Sequence, residues 1–487
     1  MKPISLYDTF QVVKRVNKEL AECSIGELAP LIKSKSVSPV EILESVFGQI
    51  KMKNNILNAY IETFEEEARS VAKQAEEDIR VGQYRGPLHG IPMATKANLY
   101  IKGKNINIGS YIHKDFVPDY HATVINKLRH EGVVLTGILN MHEYAYGFTT
   151  DNPYYGTCRN PWDVDKIPGG SSGGSASAVS SDMIIASLGS ETGGSLRAPA
   201  SFCGIVSIKP TYGRVSKYGC FPMAWTLDHV GPMTKTVEDS AILLQAMAGH
   251  DPKDPSTADI PVDDYLSYLN QDVNGMVIGI NEKHLFSNVD KEVGALVRSA
   301  IKQLEQMGAK IELIDFSTLD NALFAMMMTM ASEATTIHHE NLVKRPQDFG
   351  IEVRTELQFG ETISAVDYLQ AQQLRRQIIQ EFNDVFSKVD VIVGPTLPFT
   401  ASPVGSDFAT LNGEKVKLAE HASRYIRPTT LAGIPAMTVP CGLSEGLPVG
   451  MQILSGPFQE GKIFKVASAV ESLHLMEGKK PATSIYS

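Results

Sequence analysis

The chain has 487 residues and lacks the features that mark several large classes of protein. Its five cysteines are widely spread and include no Cys-x-x-Cys pair, which argues against a disulfide framework or a zinc knuckle. No window approaches the roughly 18 uncharged apolar residues that a membrane-spanning helix needs. With 45 basic against 55 acidic residues, a net charge of −10 and no dense basic run, the chain also lacks the electrostatic footprint of a nucleic-acid-binding protein.

Other absences bear on compartment and cofactors. Residues 1–8 reach charged side chains before any apolar core of a signal peptide develops, and unpaired cysteines are typical of a reducing compartment, so we expect a cytoplasmic protein. The sequence contains no His-Glu-x-x-His motif, no clustered metal-ligand spacing and no phosphate-binding glycine loop of the Walker or dinucleotide type. We therefore predict no metal and no cofactor.

What is present indicates a folded α/β protein. The composition, 43% hydrophobic and 21% charged, excludes a disordered chain. Apolar periodicity alternates between helical and strand-like segments, and no linker or repeat separates them, so we expect one domain over residues 1–487. We expect a helical layer over about residues 1–80 and a core over about 84–235. The predicted helices are 39–50, 58–80, 237–248, 291–307 and 362–387, and the predicted strands are 276–280, 310–314 and 389–395.

Residues 168–197 combine glycine and serine at high density, which allows close backbone approach to a ligand and leaves hydroxyl groups uncovered. The pentapeptide at 169–173 matches the Gly-x-Ser-x-Gly nucleophile elbow. An α/β-hydrolase would also need an acid and a histidine downstream, and the histidines that follow have no distinctive local context. This match alone is therefore a weak indication.

Several ordered motifs together are more specific. The sequence resembles the amidase signature family, whose fold is a single large α/β domain with a central mixed β-sheet covered by helices. The resemblance extends to residues 446–452, and its strongest segments are Gly-Ile-Pro-Met-Ala-Thr-Lys-Ala-Asn at 90–98, Pro-Gly-Gly-Ser-Ser-Gly-Gly-Ser at 168–175, Glu-Thr-Gly-Gly-Ser-Leu-Arg-Ala-Pro-Ala at 191–200, the segment 204–214 and Asp-His-Val-Gly-Pro-Met at 228–233.

The resemblance implies three catalytic residues. Ser195 corresponds to the nucleophile, Ser171 to a bridging serine held by a cis peptide bond, and Lys96 to the base; the two serines are 24 positions apart, as in the family. The chemistry is consistent, because a serine hydroxyl needs a base and a lysine serves only when neutral. Lowering a lysine pKa from about 10.4 to 7–8 takes about 4 kcal/mol, which burial among small uncharged residues can supply.

The turn before the predicted nucleophile is expected to form the oxyanion hole, from the backbone N–H groups of Thr192, Gly193 and Gly194 together with that of Ser195. Two positions depart from the family pattern. Ala97 replaces an aspartate after the signature lysine, and Glu191 replaces an aspartate before the turn. The first is compatible with a neutral base, and we expect the second to pair with the nearby Arg197.

The substrate is less determined. We expect a hydrolase that converts a small carboxamide to a carboxylate plus ammonia or an amine, in part because the segment 352–369 resembles stand-alone amidases. Within it, Arg354 is a candidate to bind a substrate carboxylate. The alternative is the glutaminase subunit of the Glu-tRNA(Gln)/Asp-tRNA(Asn) amidotransferase, which places an acidic residue where this chain has Ser423. A minor alternative is an inactive binding protein on the same fold.

The partners follow from these alternatives. A stand-alone hydrolase needs only its small-molecule amide and could form a homodimer. The glutaminase interpretation requires a tRNA-binding partner subunit, because this chain has no basic surface of its own to hold nucleic acid.

Overall fold

In the computed structural model, which describes residues 18–482, the first long helix begins at a capping sequence. Ser38 accepts a hydrogen bond from the backbone of Glu41, and the Glu41 side chain accepts one from the backbone of Ser38, with Pro39 in the first helical position. This reciprocal pair satisfies two backbone donors at the helix start. The predicted helix there is confirmed, and the part of the expected N-terminal layer at residues 1–17 lies outside the described residues.

One predicted helix, 58–80, is wrong in its first part. Asn58 adopts the left-handed conformation and ends the preceding helix. Tyr60–Thr63 then forms an edge strand, in which Tyr60 lies opposite Leu139, and the helix starts only at Glu65. Aromatic and β-branched residues favour a strand when a partner strand is present, and only the tertiary structure supplies that partner.

The α-helices of the described chain flank the sheet. In chain order they are α1 (Ile25–Lys33), α2 (Pro39–Leu57), α3 (Glu65–Arg80), α4 (Thr123–His130), α5 (Gly173–Ser180), α6 (Arg197–Cys203), α7 (Val237–Met247), α8 (Lys291–Gln306), α9 (Ala322–Lys344), α10 (Ile351–Glu361), α11 (Ala365–Phe386), α12 (Leu418–Ala432) and α13 (Glu460–Glu471). None of the helices within residues 18–482 is long and apolar enough to cross a membrane.

The strands form one large sheet and two short hairpins. They are β1 (Tyr60–Thr63), β2 (Pro92–Lys96), β3 (Val134–Leu139), β4 (Asp151–Asn152), β5 (Gly156–Thr157), β6 (Ala186–Glu191), β7 (Val206–Lys209), β8 (His229–Thr234), β9 (Val277–Ile280), β10 (Lys310–Leu313), β11 (Val391–Pro395), β12 (Phe408–Leu411), β13 (Glu414–Lys417), β14 (Ala436–Ser444) and β15 (Leu447–Ser455).

The large sheet has 11 strands in the order β1-β3-β2-β6-β8-β7-β14-β15-β11-β9-β10. β2 is parallel to β3 and β6, whereas β8 runs antiparallel to β6, so the sheet is mixed. A continuous apolar core runs from the N-terminal helices to α13. The expected fold, a single α/β domain with a central mixed sheet covered by helices, is confirmed.

The sheet also brings distant motifs together. β2 ends at Lys96 and its parallel neighbour β6 ends at Glu191, immediately before the glycine-rich turn. Because the carboxyl ends of parallel neighbours meet at one edge of a sheet, these motifs converge there. The serine-rich segment before α5 lies across the same edge.

Candidate active site

Lys96 is buried at the end of β2 and contacts a serine of each glycine-rich motif. Its Nζ donates to Ser171 Oγ at 2.7 Å and to Ser190 Oγ at 2.9 Å. Asn98 also donates to Ser190 Oγ, at 3.0 Å. The structure therefore brings two of the three predicted catalytic residues into direct contact.

The environment of Lys96 favours the neutral amine. The side chain is fully buried, and this burial lowers its pKa from 10.5 to about 7, although Cys220, Asp228 and Glu191 act weakly in the opposite direction. A buried ammonium group loses its hydration, which the two hydroxyl contacts replace only in part. A lysine with this pKa can accept a proton near neutral pH.

The backbone around Ser171 is fixed on two sides. The peptide bond between Gly170 and Ser171 is cis. The carbonyl oxygen of Ser171 accepts a hydrogen bond from the backbone N–H of His142 at 3.2 Å. A Cβ atom on Gly170 would come within 2.8 Å of the Phe148 backbone, so this position requires glycine.

Sequence reasoning missed Ser190 and Asn98. Ser190 is the residue before Glu191, close to the end of β6, and Asn98 lies two residues after Lys96. Each of these two polar residues lies near the end of a strand, and this position was visible in the sequence. The position alone did not show which polar residues would contact Lys96.

A hydrogen bond to a neighbouring loop fixes the turn from Thr192 to Ser195. Thr192 Oγ1 donates to Asp228 Oδ1 at 2.5 Å, and Asp228 also accepts from the backbone of Met223 at 3.0 Å. Burial raises the pKa of Asp228. Gly194 has φ of +121°, and a Cβ atom there would lie 2.0 Å from Ile426 Cδ1. Glycine is thus required both by conformation and by space.

Replacing Gly194 with alanine tests this requirement. We expect Gly194→Ala to lower the free energy of unfolding by about 2–4 kcal/mol, because backbone strain and overpacking against Ile426 add together. Gly275 is a matched control, since it has φ of +79° and open space around it. Urea unfolding should show a loss of only about 1 kcal/mol for Gly275→Ala. Equal losses in the two variants would contradict the packing argument.

A buried ion pair between the residues that flank this turn, Glu191 and Arg197, also stabilises it. Arg197 Nη2 donates to Glu191 Oε1 at 2.5 Å, and Glu191 also accepts from the backbone N–H groups of Leu196 and Arg197 at 3.2 Å. Arg197 reaches Gln452 Oε1 at 3.1 Å, which ties the turn to β15. The expected pairing of Glu191 with Arg197 is present, so the longer acidic side chain still supports the turn.

A cavity of about 780 Å³ opens in front of this turn. Ser195 lines it with 8% of its surface exposed, whereas Lys96 and Ser171 are fully buried. The other lining residues come from the segment after β3, the turn after β6, helices α9, α10 and α12, and the β12–β13 hairpin. They include Tyr146, Thr192, Gly193, Met327, Glu352, Glu356, Phe359, Phe408, Lys417 and Arg427.

Two residues singled out by sequence lie elsewhere. Arg354 is half-buried on α10, and it is not among the described residues that line this cavity. Ser423 lines a separate cavity of about 220 Å³, and its hydroxyl donates to the Ala419 carbonyl of its own helix. The arginine in the cavity is Arg427, which sequence reasoning did not select as a binding residue. Helical rotation decides which arginine faces the cavity, and the motif does not show it.

Most of the chain matches one known family. The family model described as Amidase covers residues 41–464. The chain belongs to the amidase family. The resemblance predicted from the sequence motifs is confirmed, and as an amidase-family member the protein is a hydrolase of amide C–N bonds.

Two similar relatives in the amidase family carry the same name. The chain is 37% identical to the A subunit of glutamyl-tRNA(Gln) amidotransferase from Carboxydothermus hydrogenoformans, over 93% of this chain and 97% of the relative. It is 39% identical to the same subunit of Persephonella marina, over 93% and 98%. These relatives favour the glutaminase alternative over the stand-alone hydrolase that we expected first.

Solved structures show the same fold. A chain from a complex described as an unexpected vestigial protein complex, which reveals the evolutionary origins of an s-triazine catabolic enzyme, has a TM-score of 0.90 at 30% identity, covering 94% of this chain and 100% of that chain. The A subunit of glutamyl-tRNA(Gln) amidotransferase from Thermotoga maritima has a TM-score of 0.78 at 33% identity, covering 93% and 95%.

No group of three or more His, Cys, Asp and Glu within residues 18–482 is arranged to hold a metal ion. The prediction of no metal and no cofactor stays a prediction.

Proposed function

We propose that the protein is the glutaminase subunit of a tRNA-dependent amidotransferase, which hydrolyses the side-chain amide of glutamine and supplies ammonia to a partner subunit. The observation that carries this proposal is full-length similarity, at 37% and 39% identity, to two subunits of that name. The contact between Lys96 and Ser171 supports retained chemistry and argues against an inactive binding protein.

The proposed reaction uses Ser195 as nucleophile. Its Oγ attacks the amide carbon while its proton passes through Ser171 to the neutral amine of Lys96. The C–N bond breaks when that proton reaches the leaving nitrogen, which departs as ammonia and leaves a glutamyl ester on Ser195. Water then attacks the ester and gives up a proton through the same relay; that proton passes to Ser195 Oγ as the ester C–O bond breaks, and glutamate is released.

The turn before Ser195 supplies the proposed oxyanion hole. Backbone N–H groups of Thr192, Gly193 and Gly194 are candidates to stabilise the negative oxygen of the tetrahedral intermediate, and one such donor is typically worth about 10²–10³ in rate. The ion pair of Glu191 with Arg197 and the contact of Thr192 with Asp228 support this role by fixing the turn before substrate binds.

We also propose a cytoplasmic location and a partner that holds the RNA. All five cysteines are free, which fits a reducing compartment. A chain with a net charge of −10 has little electrostatic attraction for tRNA, so the proposal assigns RNA binding to another subunit.

A second candidate is a stand-alone hydrolase of small carboxamides. It is favoured by Ser423, which turns its hydroxyl to its own helix instead of presenting an acidic group to the cavity. Under this candidate the chain would hydrolyse simple amides without any partner.

Isotope transfer separates the two candidates. The chain, together with its copurifying partner, is supplied with glutamine labelled with ¹⁵N in the side-chain amide, ATP and tRNA charged with glutamate. We expect the label in the tRNA-bound product, because ammonia released at Ser195 is passed on. Ser195→Ala should block transfer from glutamine and leave transfer from added ammonium intact. Absence of any partner, together with faster hydrolysis of simple amides than of glutamine, would instead establish the second candidate.

A further inference from the structure

The guanidinium of Arg427 faces the cavity without a partner from the described chain. Within residues 18–482 it makes no hydrogen bond and no ion pair, and its Nε atom is buried. By contrast, the buried Arg197 is bonded to Glu191, Gln452 and the carbonyl of Ile426. Since burial of a cation is costly unless the cation is paired, the partly buried Arg427, which has no partner within the described residues, indicates a ligand that carries negative charge.

Tyr146 provides an independent second observation. Its side chain is 6% exposed and lines the same cavity, and its buried hydroxyl makes no hydrogen bond within 3.5 Å in the described residues, although the carboxylate of Glu356 is near enough to interact with it. The hydroxyl can donate a hydrogen bond, as can the guanidinium of Arg427. Two donors that make no direct hydrogen bond within residues 18–482 form a site for an oxygen-rich group.

The site lies close to the reacting centre. A Cβ atom built on Gly193 would be 3.6 Å from Arg427 Nε, so the arginine packs over the turn that ends at Ser195. A group bound by Arg427 would therefore lie against the turn that precedes Ser195, in the same cavity. This arrangement suits a small substrate with a charged end.

The facing wall is acidic. Glu356 lies near Arg427 and Tyr146 but forms no ion pair with Arg427 within 4.0 Å, and burial raises the pKa of Glu356. Glu352 is paired with His142 at 3.3 Å. Glu356 therefore lies near the guanidinium without forming an ion pair with it, and its carboxyl group lines the same cavity.

We infer that Arg427 and Tyr146 bind a carboxylate of the substrate, so that the enzyme selects small amides that carry a carboxylate. The inference rests on the proposed amidase function and adds the residues that set specificity. A guanidinium presents two parallel N–H groups that match a carboxylate, and Tyr146 adds a third donor. Glutamine satisfies this requirement, as does the monoamide of glutaric acid, whereas butyramide does not.

Kinetics with matched substrates tests the inference. We expect Arg427→Met to lower kcat/KM about 10–100-fold for glutamine and for glutaric acid monoamide, mainly by raising KM, because hydrogen bonds to a charged group are lost. Butyramide hydrolysis should change less than about 3-fold, since butyramide lacks the carboxylate. Arg427→Lys should recover part of the loss, because it keeps the charge without the planar fork.

Two further variants keep the test independent of folding. Tyr146→Phe removes a hydroxyl that makes no hydrogen bond within 3.5 Å in the described chain, and we expect a loss of about 3–10-fold confined to the carboxylate substrates. Arg424→Met is the matched control, because Arg424 lies one turn earlier on α12 and donates to the Lys283 carbonyl at 3.3 Å. It should leave all three substrates unaffected.

Binding without turnover separates this inference from the proposed function. Glutarate should raise the melting temperature of the wild type and not that of Arg427→Met. If glutarate stabilises the wild type but no amide is hydrolysed, the carboxylate site stands and the amidase proposal fails. Equal losses for butyramide and glutamine in Arg427→Met, or equal stabilisation of both proteins by glutarate, would overturn the inference.

Discussion

Ser195→Ala is expected to reduce kcat by about 10⁴–10⁶, because the variant retains the cavity and the turn but has no oxygen to form the acyl-enzyme. The residue lies at the cavity surface while Lys96 and Ser171 are fully buried, which makes it the serine of the three predicted residues that a substrate can reach. Labelling with a fluorophosphonate probe, followed by mass spectrometry of the intact chain, measures the same property without a known substrate.

Ser180→Ala is the matched control for this experiment. Ser180 ends the helix that begins next to the predicted bridging serine, and its hydroxyl donates to the Cys203 carbonyl away from the cavity. We expect full labelling of this variant and no labelling of Ser195→Ala. Labelling of the wild type and Ser195→Ala to the same extent would remove Ser195 from the nucleophile role.

Lys96→Met is expected to lower the rate by about 10²–10⁴, the usual contribution of a general base. In the wild type, the rate of fluorophosphonate labelling should rise with pH and level off above about pH 7–8. The sign follows from the pKa of Lys96, which burial lowers to about 7: below this pH the amine is protonated and accepts no proton from Ser171, and above it the neutral base is present.

Lys209 is a control lysine whose pKa is lowered to a similar value. It is also fully buried, and burial lowers its pKa to about 7, but its Nζ donates to the carbonyl of Pro210 at 3.1 Å and contacts no serine of the site. We expect Lys209→Met to keep the inflection near pH 7. An inflection that disappears in Lys209→Met, or a Lys96→Met variant with more than about a tenth of wild-type activity, would contradict the assignment of Lys96 as base.

Local sequence signals predicted much of the secondary structure. Helix α2 begins where Ser38, Pro39 and Glu41 form a capping box, and β11 ends at the predicted Gly-Pro stop. Capping and turn residues act within a few positions, so a single sequence contains their full cause. The strand at Tyr60–Thr63 was missed because its stability comes from pairing with β3, more than 70 positions later.

The residues of the candidate site also fall into those predicted from the sequence and those found only in the structure. The order and spacing of three motifs led to Lys96, Ser171 and Ser195, and the predicted family membership is confirmed, while the catalytic roles stay predictions. The fold then added Ser190, which contacts the lysine at 2.9 Å and was not selected from the sequence. A sequence motif shows which chemical groups are present. Which of these groups touch each other depends on which strand ends become neighbours in the fold.

The sequence by itself determined the family, the α/β class and the set of groups that carry the proposed chemistry, because these depend on residue types in a fixed order. Tertiary structure decided which arginine side chain faces the cavity. Arg354 and Arg427 were equally visible as cations, but packing of α10 and α12 around the cavity left Arg427 facing it and unpaired within the described chain. The rotation of a helix about its axis is set by all of its neighbours, and no single segment specifies it.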